Sequence, residues 1–152
     1  QMGAEKALTA VVAGLAGANM VYESSGMMAS LLGASFEAFV ADDEMLSNVY
    51  RTIRGIEVNE ETLGFEAMKQ AVFGEGHFLG LDHTMDAMQR DYFYPDLADR
   101  LAPISWEENG ATDMASRAKM KAQSILDSHH PDYLNPEVDA RIRERFNILL
   151  NP

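Results

Sequence analysis

The stretch SFEAFVADDEMLSNVYRTIRG, residues 35–55, predicts the fold class most directly. Its apolar residues recur every three or four positions, which is the spacing of one face of an α-helix. Ser35 is a favourable N-cap and Gly55 a favourable C-cap, so we predict a helix over 36–54. The acidic run ADDEM, 41–45, is most simply the solvated side of that helix. The apolar face consists of Phe36, Phe39, Val40, Leu46, Val49, Tyr50 and Ile53.

Helical patterns also dominate on either side of this stretch. We predict further helices over 3–18, 60–72, 82–92, 111–127 and 136–149. Asn59 and Asn135 are favourable N-caps for two of them. In the first helix, Gly14 and Gly17 would allow close approach to a neighbouring element. Pro95 and Pro103 predict irregular structure before the segment SWEEN, 105–109.

The segment MVYE, 20–23, is the one place where composition favours a β-strand. A lone strand leaves its backbone donors and acceptors unpaired, and the rest of the chain supplies no obvious partner strand. Either the chain is wholly helical and 20–23 is not a strand, or the chain is the tail of a larger, sheet-containing protein. The start at Gln1, without an initiator methionine, favours a segment of a longer protein.

Composition excludes several functional classes. The chain has 152 residues, 47% of them apolar, which is enough for the core of one domain. Its net charge of -12 would repel phosphate backbones and anionic lipids, so we expect neither nucleic acid nor a membrane as a partner. The absence of cysteine excludes disulfides and thiolate metal sites, and it favours a reducing cytoplasm.

Several unusual strings occur in the order in which a known protein family has them. They are EKALTAVVAGLAGANMVYESSGMM (5–28), SFEAFVADDEML (35–46), RTIRGIEVNEETL (51–63), GHFLGLDHT (76–84), YFYPDLADR (92–100) and WEENGATD (106–113). Together they resemble the C-terminal third of the trimethylamine methyltransferase superfamily of corrinoid-dependent methyltransferases. The resemblance covers essentially all of the 152 residues.

The resemblance implies a mostly α-helical chain that forms the C-terminal part of a (β/α)8 TIM-barrel methyltransferase. Residues 1–56 would be the last helix-strand-helix portion of the barrel, with 20–23 as the last strand, and residues 57–152 a helical tail that wraps the barrel. The whole enzyme would transfer a methyl group from a methylated amine, such as trimethylamine or glycine betaine, to the cob(I)amide of a cognate corrinoid protein. The chain itself would bind no cofactor tightly and would be inactive alone, and we expect a homo-oligomer.

A last barrel strand at 20–23 would end on the face where barrel enzymes place their chemistry. Glu23 is then the catalytic candidate, because its carboxylate would counter the charge of an ammonium substrate. Tyr22 would offer a cation-π face to the same group. The alternative is that Tyr22 belongs to the barrel core.

The residues after Glu23 would edge the same site. Ser24, Ser25 and Gly26 are candidates for substrate binding, and Met27 and Met28 would face the flat corrin ring. The alternative is structural: the serines form a turn or cap, Gly26 permits a tight backbone, and the methionines fill gaps in the core.

The stretch GHFLGLDHT places His77 and His83 six residues apart across a glycine. Metal-binding histidines on a helix usually lie four apart, so the spacing argues against a metal site even though Glu75 and Asp82 could add oxygen ligands. A histidine could instead bind a substrate carboxylate, transfer a proton or hydrogen-bond the backbone. We predict that this stretch holds the tail against the catalytic rim, with both histidines as candidates for contact with substrate or the corrinoid protein.

Two other classes of function remain open at the level of the sequence. The amphipathic helices would suit a helical oligomerisation or docking module without catalytic activity of its own. They would equally suit a free-standing helical binding protein.

Overall fold

A computed structural model of the chain describes residues 1–131 and 133–149. Within these residues the chain is mostly helical, as the sequence predicts, with one very short β-hairpin. The elements are α1 (Met2–Leu15), β1 (Met27–Met28), β2 (Gly33–Ala34), α2 (Phe36–Arg54), α3 (Glu60–Leu63), α4 (Phe65–Phe73), α5 (Asp82–Asp91), α6 (Pro103–Glu108), α7 (Met114–Ser128) and α8 (Pro136–Arg145). The predicted tail, 57–152, includes Asp132 and residues 150–152, which lie outside the described residues.

Helix α2 is the centre of the packing and has the bounds that its sequence predicts. The Ser35 side chain accepts a hydrogen bond from the Ala38 N–H, and Gly55 follows the last turn with φ 70°. Helices α1 and α7 both pack on α2. Small side chains dominate the buried apolar residues, which are Ala10, Ala38, Val49, Ala71, Leu97, Ala118 and Ala122. The core is therefore a set of close helix contacts.

The glycines near the end of α1 have two different roles. A Cβ on Gly14 would lie 2.1 Å from Ile53 Cδ1, so a larger residue there would force the Ile53 side chain to move away from this contact between α1 and α2. Gly17 contacts no neighbour in this way; with φ 84° it adopts the left-handed conformation that terminates α1. The predicted close approach is therefore confirmed for Gly14 and wrong for Gly17, and the helix stops at Leu15 instead of residue 18.

The segment 20–23 does not form a strand within the described chain, and its pairing with the other strands of a whole barrel stays a prediction. Residues 20–23 have no regular secondary structure and are exposed. The two strands that do form are Met27–Met28 and Gly33–Ala34, paired antiparallel with Met27 opposite Ala34 and Met28 opposite Gly33. The physical reason is that a strand needs a neighbouring strand for its backbone hydrogen bonds. Within the described chain residues 20–23 have no such neighbour, whereas Met27–Met28 and Gly33–Ala34 pair with each other.

Three predicted element boundaries also need correction. The helix predicted over 60–72 is split, because Gly64 takes a left-handed conformation with φ 63° between α3 and α4. The region predicted to be irregular before Ser105 ends earlier, because α6 begins at Pro103, which occupies the first turn that suits its fixed φ. Helix α8 ends at Arg145, and Phe146 is extended, so the helix predicted to run to 149 is shorter.

Much of the apolar surface of these helices is exposed, including Phe36 at 63% and Tyr50 at 73% on the apolar face predicted for α2. On α1, Leu8 is 67% exposed and Leu15 is 62% exposed, and on α4, Phe65 is 60% and Phe73 is 85% exposed. Exposed apolar patches of this kind on a folded chain usually mark a surface that another element or molecule covers. None of the helices in the described part of the chain is both long enough and apolar enough to span a membrane.

Candidate functional site

Three of the predicted site residues lie along one cleft. The cleft has a volume of about 640 Å³ and lies between the N-terminal half of α1 and the β-hairpin. Glu23, Met27 and Met28 line one side of it together with the turn 29–31. The other side is formed by Gln1, Met2, Glu5, Lys6 and Thr9. The structure thus brings together the predicted catalytic carboxylate and the two predicted corrinoid-facing methionines.

The backbone of this region has an unusual conformation. We call residues 23–34 the hairpin loop. Glu23, Ala29, Ser30 and Leu31 all have positive φ, between 50° and 69°, although none of them is glycine. Such conformations are uncommon for residues with a Cβ and tend to cluster at functional sites. The hairpin loop is thus the segment of the described chain where a functional constraint on the backbone is best supported.

The hairpin loop is fixed to α2 at Gly26. The Gly26 N–H donates a hydrogen bond of 2.8 Å to Asp42 Oδ2, and Lys6 Nζ forms an ion pair with the same oxygen. Gly26 has φ 76°, and a Cβ at this position would lie 2.4 Å from three ring carbons of Phe39. Gly26 is therefore required both by its backbone conformation and by the contact with Phe39. This outcome agrees with the structural alternative for Gly26, a tight backbone.

The cleft has an acidic character. Glu5 and Glu23 both line it, and the one lysine on its wall, Lys6, is paired with the buried Asp42. The charge that faces the cleft is therefore mainly that of carboxylates. Such a surface favours a cationic ligand over an anionic one.

The remaining candidates near Glu23 lie outside this cleft. Tyr22 is 79% exposed in this chain, and both its predicted cation-π contact and the alternative of a place in the barrel core stay predictions. Ser24 and Ser25 are of intermediate exposure and precede the anchored Gly26. Their predicted contact with substrate stays a prediction.

The two histidines of GHFLGLDHT are held in different environments. His77 Nε2 lies 3.3 Å from Glu75 Oε2, with both side chains largely exposed. His83 Nε2 is 2.8 Å from the Glu61 backbone oxygen, and its imidazole lies against Gly64, where a Cβ would be 3.1 Å from the ring. His83 therefore attaches the first turn of α5 to the junction of α3 and α4, as the backbone-bonding alternative predicts. Contact of either histidine with substrate or a partner stays a prediction.

A second cleft, of about 680 Å³, lies between the C-terminal ends of α2 and α5. Its wall includes His83 and three arginines, Arg51, Arg54 and Arg90. The Arg90 guanidinium donates to both carboxylate oxygens of Asp91, at 3.3 and 2.9 Å, and also pairs with Glu61.

These charges shift the ionisation of the groups involved. The hydrogen bonds from Arg90 lower the pKa of Asp91, with further contributions from the positive charges of Arg51 and Arg54. The hydrogen bond to Asp91 in turn raises the pKa of Arg90. The guanidinium groups are thus largely occupied in joining α2 to α5, and the second cleft is better explained as a structural clamp than as an anion site.

The acidic run ADDEM contains two buried carboxylates, so its interpretation as a solvated helix face is wrong. Asp42 is 6% exposed and Glu44 is 8% exposed, while Asp43 between them faces solvent. Glu44 accepts hydrogen bonds from the N–H groups of Asp96, Leu97 and Ala98 at 2.6, 2.5 and 2.8 Å. We call residues 92–102, between α5 and α6, the tail loop. Glu44 fixes the tail loop to α2.

A signal for Asp42 was available in the sequence. It lies four residues after Ala38 and seven before Val49, both of which are buried, so it belongs to the apolar stripe of α2. A carboxylate within such a stripe indicates a buried polar partner. Glu44 carries no comparable signal, because its partners are backbone amides more than fifty residues away.

Metal ligation has little support in the described part of the chain. Over 1–131 and 133–149, no three or more histidine, aspartate or glutamate side chains are grouped so that they could hold a metal ion. The chain has no cysteine to supply a thiolate.

Comparison with known proteins shows one consistent family. The model of the family described as trimethylamine methyltransferase (MTTB) matches residues 1–147. A protein named glycine betaine methyltransferase from Desulfitobacterium hafniense is 31% identical over 143 residues, which cover 94% of this chain and 29% of that protein. The trimethylamine methyltransferase MttB2 of Methanosarcina mazei is 36% identical over 143 residues, covering 93% of this chain and 27% of that protein.

A third relative gives the same picture. The trimethylamine methyltransferase MttB of Methanosarcina barkeri is 33% identical over 139 residues, which cover 91% of this chain and 27% of that protein. The chain thus spans less than a third of the length of these curated relatives.

Proposed function

The chain belongs to the trimethylamine methyltransferase family, and from this membership we propose that it is the C-terminal part of an amine methyltransferase. The whole protein would transfer a methyl group from a methylated amine, of the trimethylamine or glycine betaine type, to the cob(I)amide of a cognate corrinoid protein. The names of the relatives support a methylated amine as donor. The observation that carries the proposal is the cleft that Glu23, Met27 and Met28 share.

The cleft suits a small cationic substrate. Its volume, about 640 Å³, is large enough to accommodate a small molecule. Glu23 would place a negative charge beside the ammonium group and orient it, while Met2, Met27 and Met28 would provide apolar surface for the methyl groups and exclude water. The N–CH₃ bond would break with its electron pair remaining on the amine, and the methyl group would leave the cleft on the acceptor.

We propose that the corrinoid reaches this surface as a group carried by another protein. The wall formed by Met27 and Met28 is apolar and half-buried, which suits contact with a flat ring, while the volume of the cleft suits the amine and not the corrinoid. When bound, the corrinoid would supply the cobalt nucleophile that accepts the methyl group. The part of this chain is to bind and orient the amine at the edge of that surface.

The exposed apolar faces support a larger parent protein. Leu8 and Leu15 on α1 and Phe65 and Phe73 on α4 would be covered by the remaining strands and helices of a (β/α)8 barrel, to which 20–23 would add as a strand. We propose a cytoplasmic enzyme of this architecture that assembles as a homo-oligomer.

The same exposed faces favour one alternative. A helical oligomerisation or docking module would also present apolar residues on α1 and α4, and it would need no acidic cleft. The two candidates differ in whether Glu23 matters for a reaction.

The experiment is a methyl-transfer assay of the whole protein with cob(I)alamin and a panel of methylated amines. We expect transfer from at least one amine, and the Glu23→Gln variant should lose about tenfold in kcat/KM, equivalent to roughly 1.4 kcal/mol of transition-state stabilisation. Glu60→Gln, an exposed carboxylate at the start of α3 that does not line the cleft, is the matched control and should keep the kinetics of the unmodified protein. Equal kinetics for Glu23→Gln and the control would remove Glu23 from the site, and no transfer from any amine would favour the docking module.

A further inference from the structure

A buried carboxylate stands behind the hairpin loop. Asp42 lies on α2 at 6% exposure, and its Oδ2 atom holds two partners: the Gly26 N–H, at 2.8 Å, and the Lys6 ammonium. One oxygen therefore connects α1, α2 and the hairpin loop. Burying a charged group is costly unless it is paired and hydrogen-bonded, and Asp42 has both kinds of partner.

The position of Gly26 makes this contact important for the cleft. Gly26 is three residues after Glu23 and immediately before Met27, so it separates the carboxylate of the cleft from the apolar wall. It is buried, while Glu23 and residues 29–31 on either side are exposed or half-exposed and have left-handed backbones. The anchored Gly26 is thus the point from which both parts of the cleft take their position.

A second contact acts at the same place but in a different way. The Phe39 ring lies so close to Gly26 that a Cβ would overlap it, so the ring limits how far the loop can move towards α2. Asp42 limits movement of the loop away from α2, because its hydrogen bond with the Gly26 N–H is lost when the donor and acceptor separate. Phe39 and Asp42 together determine the distance of the loop from α2.

The ion pair with Lys6 adds an electrostatic consequence. Lys6 lines the cleft with Glu5 and Glu23, and without Asp42 its ammonium would be free to pair with one of these carboxylates. Such a pair would cancel the charge that a cationic substrate needs. Asp42 thus keeps Lys6 away from the substrate carboxylate as well as holding the loop.

We propose that Asp42 is a positioning residue of the methyl-transfer site: through the Gly26 N–H and the Lys6 ammonium it holds Glu23, Met27 and Met28 in the arrangement that binds the amine. This inference rests on the proposed function. Asp42 itself touches no substrate in this proposal.

The test uses the whole protein with four variants. Asp42→Ala removes both contacts, and Asp42→Asn keeps a side-chain oxygen for the Gly26 N–H but loses the charge. Asp43→Asn is the matched control, because Asp43 is the neighbouring, exposed carboxylate on the same helix. Glu44→Gln is the control for a buried carboxylate of α2 whose contacts lie in the tail loop.

Two measurements follow each variant: the KM and kcat of methyl transfer for the amine, and hydrogen exchange of the peptide that covers the hairpin loop. A variant that only reduces the amount of folded protein lowers the apparent kcat and leaves KM unchanged. A positioning role predicts that Asp42→Ala raises KM for the amine at least about tenfold, since small misplacements of binding groups have effects of this size. Asp42→Asn should raise KM less than Asp42→Ala does. Hydrogen exchange in the hairpin loop should rise for Asp42→Ala but not for the two controls, Asp43→Asn and Glu44→Gln.

The proposal is overturned if Asp42→Ala keeps the KM of the unmodified protein, or if Glu44→Gln raises KM as much. It is also overturned if exchange in the hairpin loop is the same in Asp42→Ala and Asp43→Asn. Failure of the proposed function has a different signature: the unmodified protein transfers no methyl group from any amine in the panel. In that case the role of Asp42 in positioning the methyl-transfer site falls too, while the exchange result still decides whether Asp42 holds the loop.

Discussion

Helix α2 holds two loops through two carboxylates that are two residues apart, and it holds them differently. Asp42 shares one oxygen between a single amide of the hairpin loop and the Lys6 ammonium. Glu44 accepts three consecutive amides of the tail loop at 2.5 to 2.8 Å. The Arg117 guanidinium, from α7, also donates to the Leu97 carbonyl at 2.6 Å. The tail loop is thus attached at several consecutive backbone groups, and the hairpin loop at one.

The difference fits what each loop has to do. A loop that only joins the tail to α2 gains from many hydrogen bonds, because each one raises the free energy of opening it. A loop that lines a substrate cleft has to keep a defined shape and still admit a ligand. The hairpin loop obtains that shape from few attachments. These are one buried hydrogen bond, the contact of Gly26 with Phe39, and several residues with left-handed backbone conformation.

The largest effect should come from removing the tail anchor. We expect Glu44→Ala to lower the free energy of unfolding by about 3 kcal/mol, because three amides lose a charged acceptor in a buried place. Glu44→Gln, which keeps one acceptor oxygen, should lose less. Urea unfolding followed by circular dichroism measures the change, with Asp43→Ala as the control, expected within about 0.5 kcal/mol of the unmodified protein. A loss for Glu44→Ala no larger than for Asp43→Ala would break the comparison between the two loops.

A smaller effect is expected at the hairpin anchor. Gly26→Ala should cost about 2 kcal/mol, since its Cβ meets the Phe39 ring and its φ of 76° strains any residue with a Cβ. Gly33→Ala in β2 is the matched control, because nothing lies within 4 Å of a Cβ at Gly33. Unfolding of the double variant Gly26→Ala, Phe39→Ala separates the two causes, as only the clash with the ring is relieved. If the double variant is no more stable than the sum of the two single changes predicts, the contact with Phe39 does not fix the loop.

The parts of the fold that the sequence predicts well depend on local chemistry. Ser35, Asn59 and Asn135 each accept a hydrogen bond from the backbone of the helix that follows, at 3.1, 2.9 and 2.9 Å. These contacts span two or three residues, so residue type and spacing are enough to find them. Helix α2 was predictable to the residue for the same reason.

The parts that the sequence misses depend on distant contacts. The acidic run of α2 has the composition of a solvated face, but the partners of Asp42 and Glu44 lie 16 to 54 residues away and include backbone amides that carry no residue signature. The strand at 20–23 fails for the opposite reason, since its composition favours a strand and the described chain gives it no ladder partner. Of the candidate site, the grouping of Glu23 with Met27 and Met28 follows from their nearness in sequence, whereas the α1 side of the cleft does not.

The smallest effect concerns a third attachment, the exposed ion pairs between the ends of α2 and α5. Hydrogen bonds from Arg90 lower the pKa of Asp91 in the folded protein. A carboxyl whose pKa is lowered by folding stabilises the protein above its unfolded pKa, and this stabilisation is lost as the pH falls through the folded value, here below about pH 4. Asp91→Asn should therefore lower the Tm more at pH 7 than at pH 3, because the unmodified protein loses this contribution progressively as the pH falls below about 4.

The control for this change is Asp86→Asn, an exposed carboxylate on the same helix. Because the arginines and Asp91 are partly open to solvent, added salt should weaken the effect of Asp91→Asn at pH 7. The hydrogen bonds that Glu44 accepts are buried, so the loss in Glu44→Ala should respond much less to salt. An Asp91→Asn variant with the same loss of Tm at both pH values, or with a loss that salt does not change, would show that α5 is held by packing and not by charge. Glu44 and apolar contacts would then attach the tail to α2 without help from these ion pairs. The contrast between the several buried attachments of the tail loop and the single one of the hairpin loop would become larger.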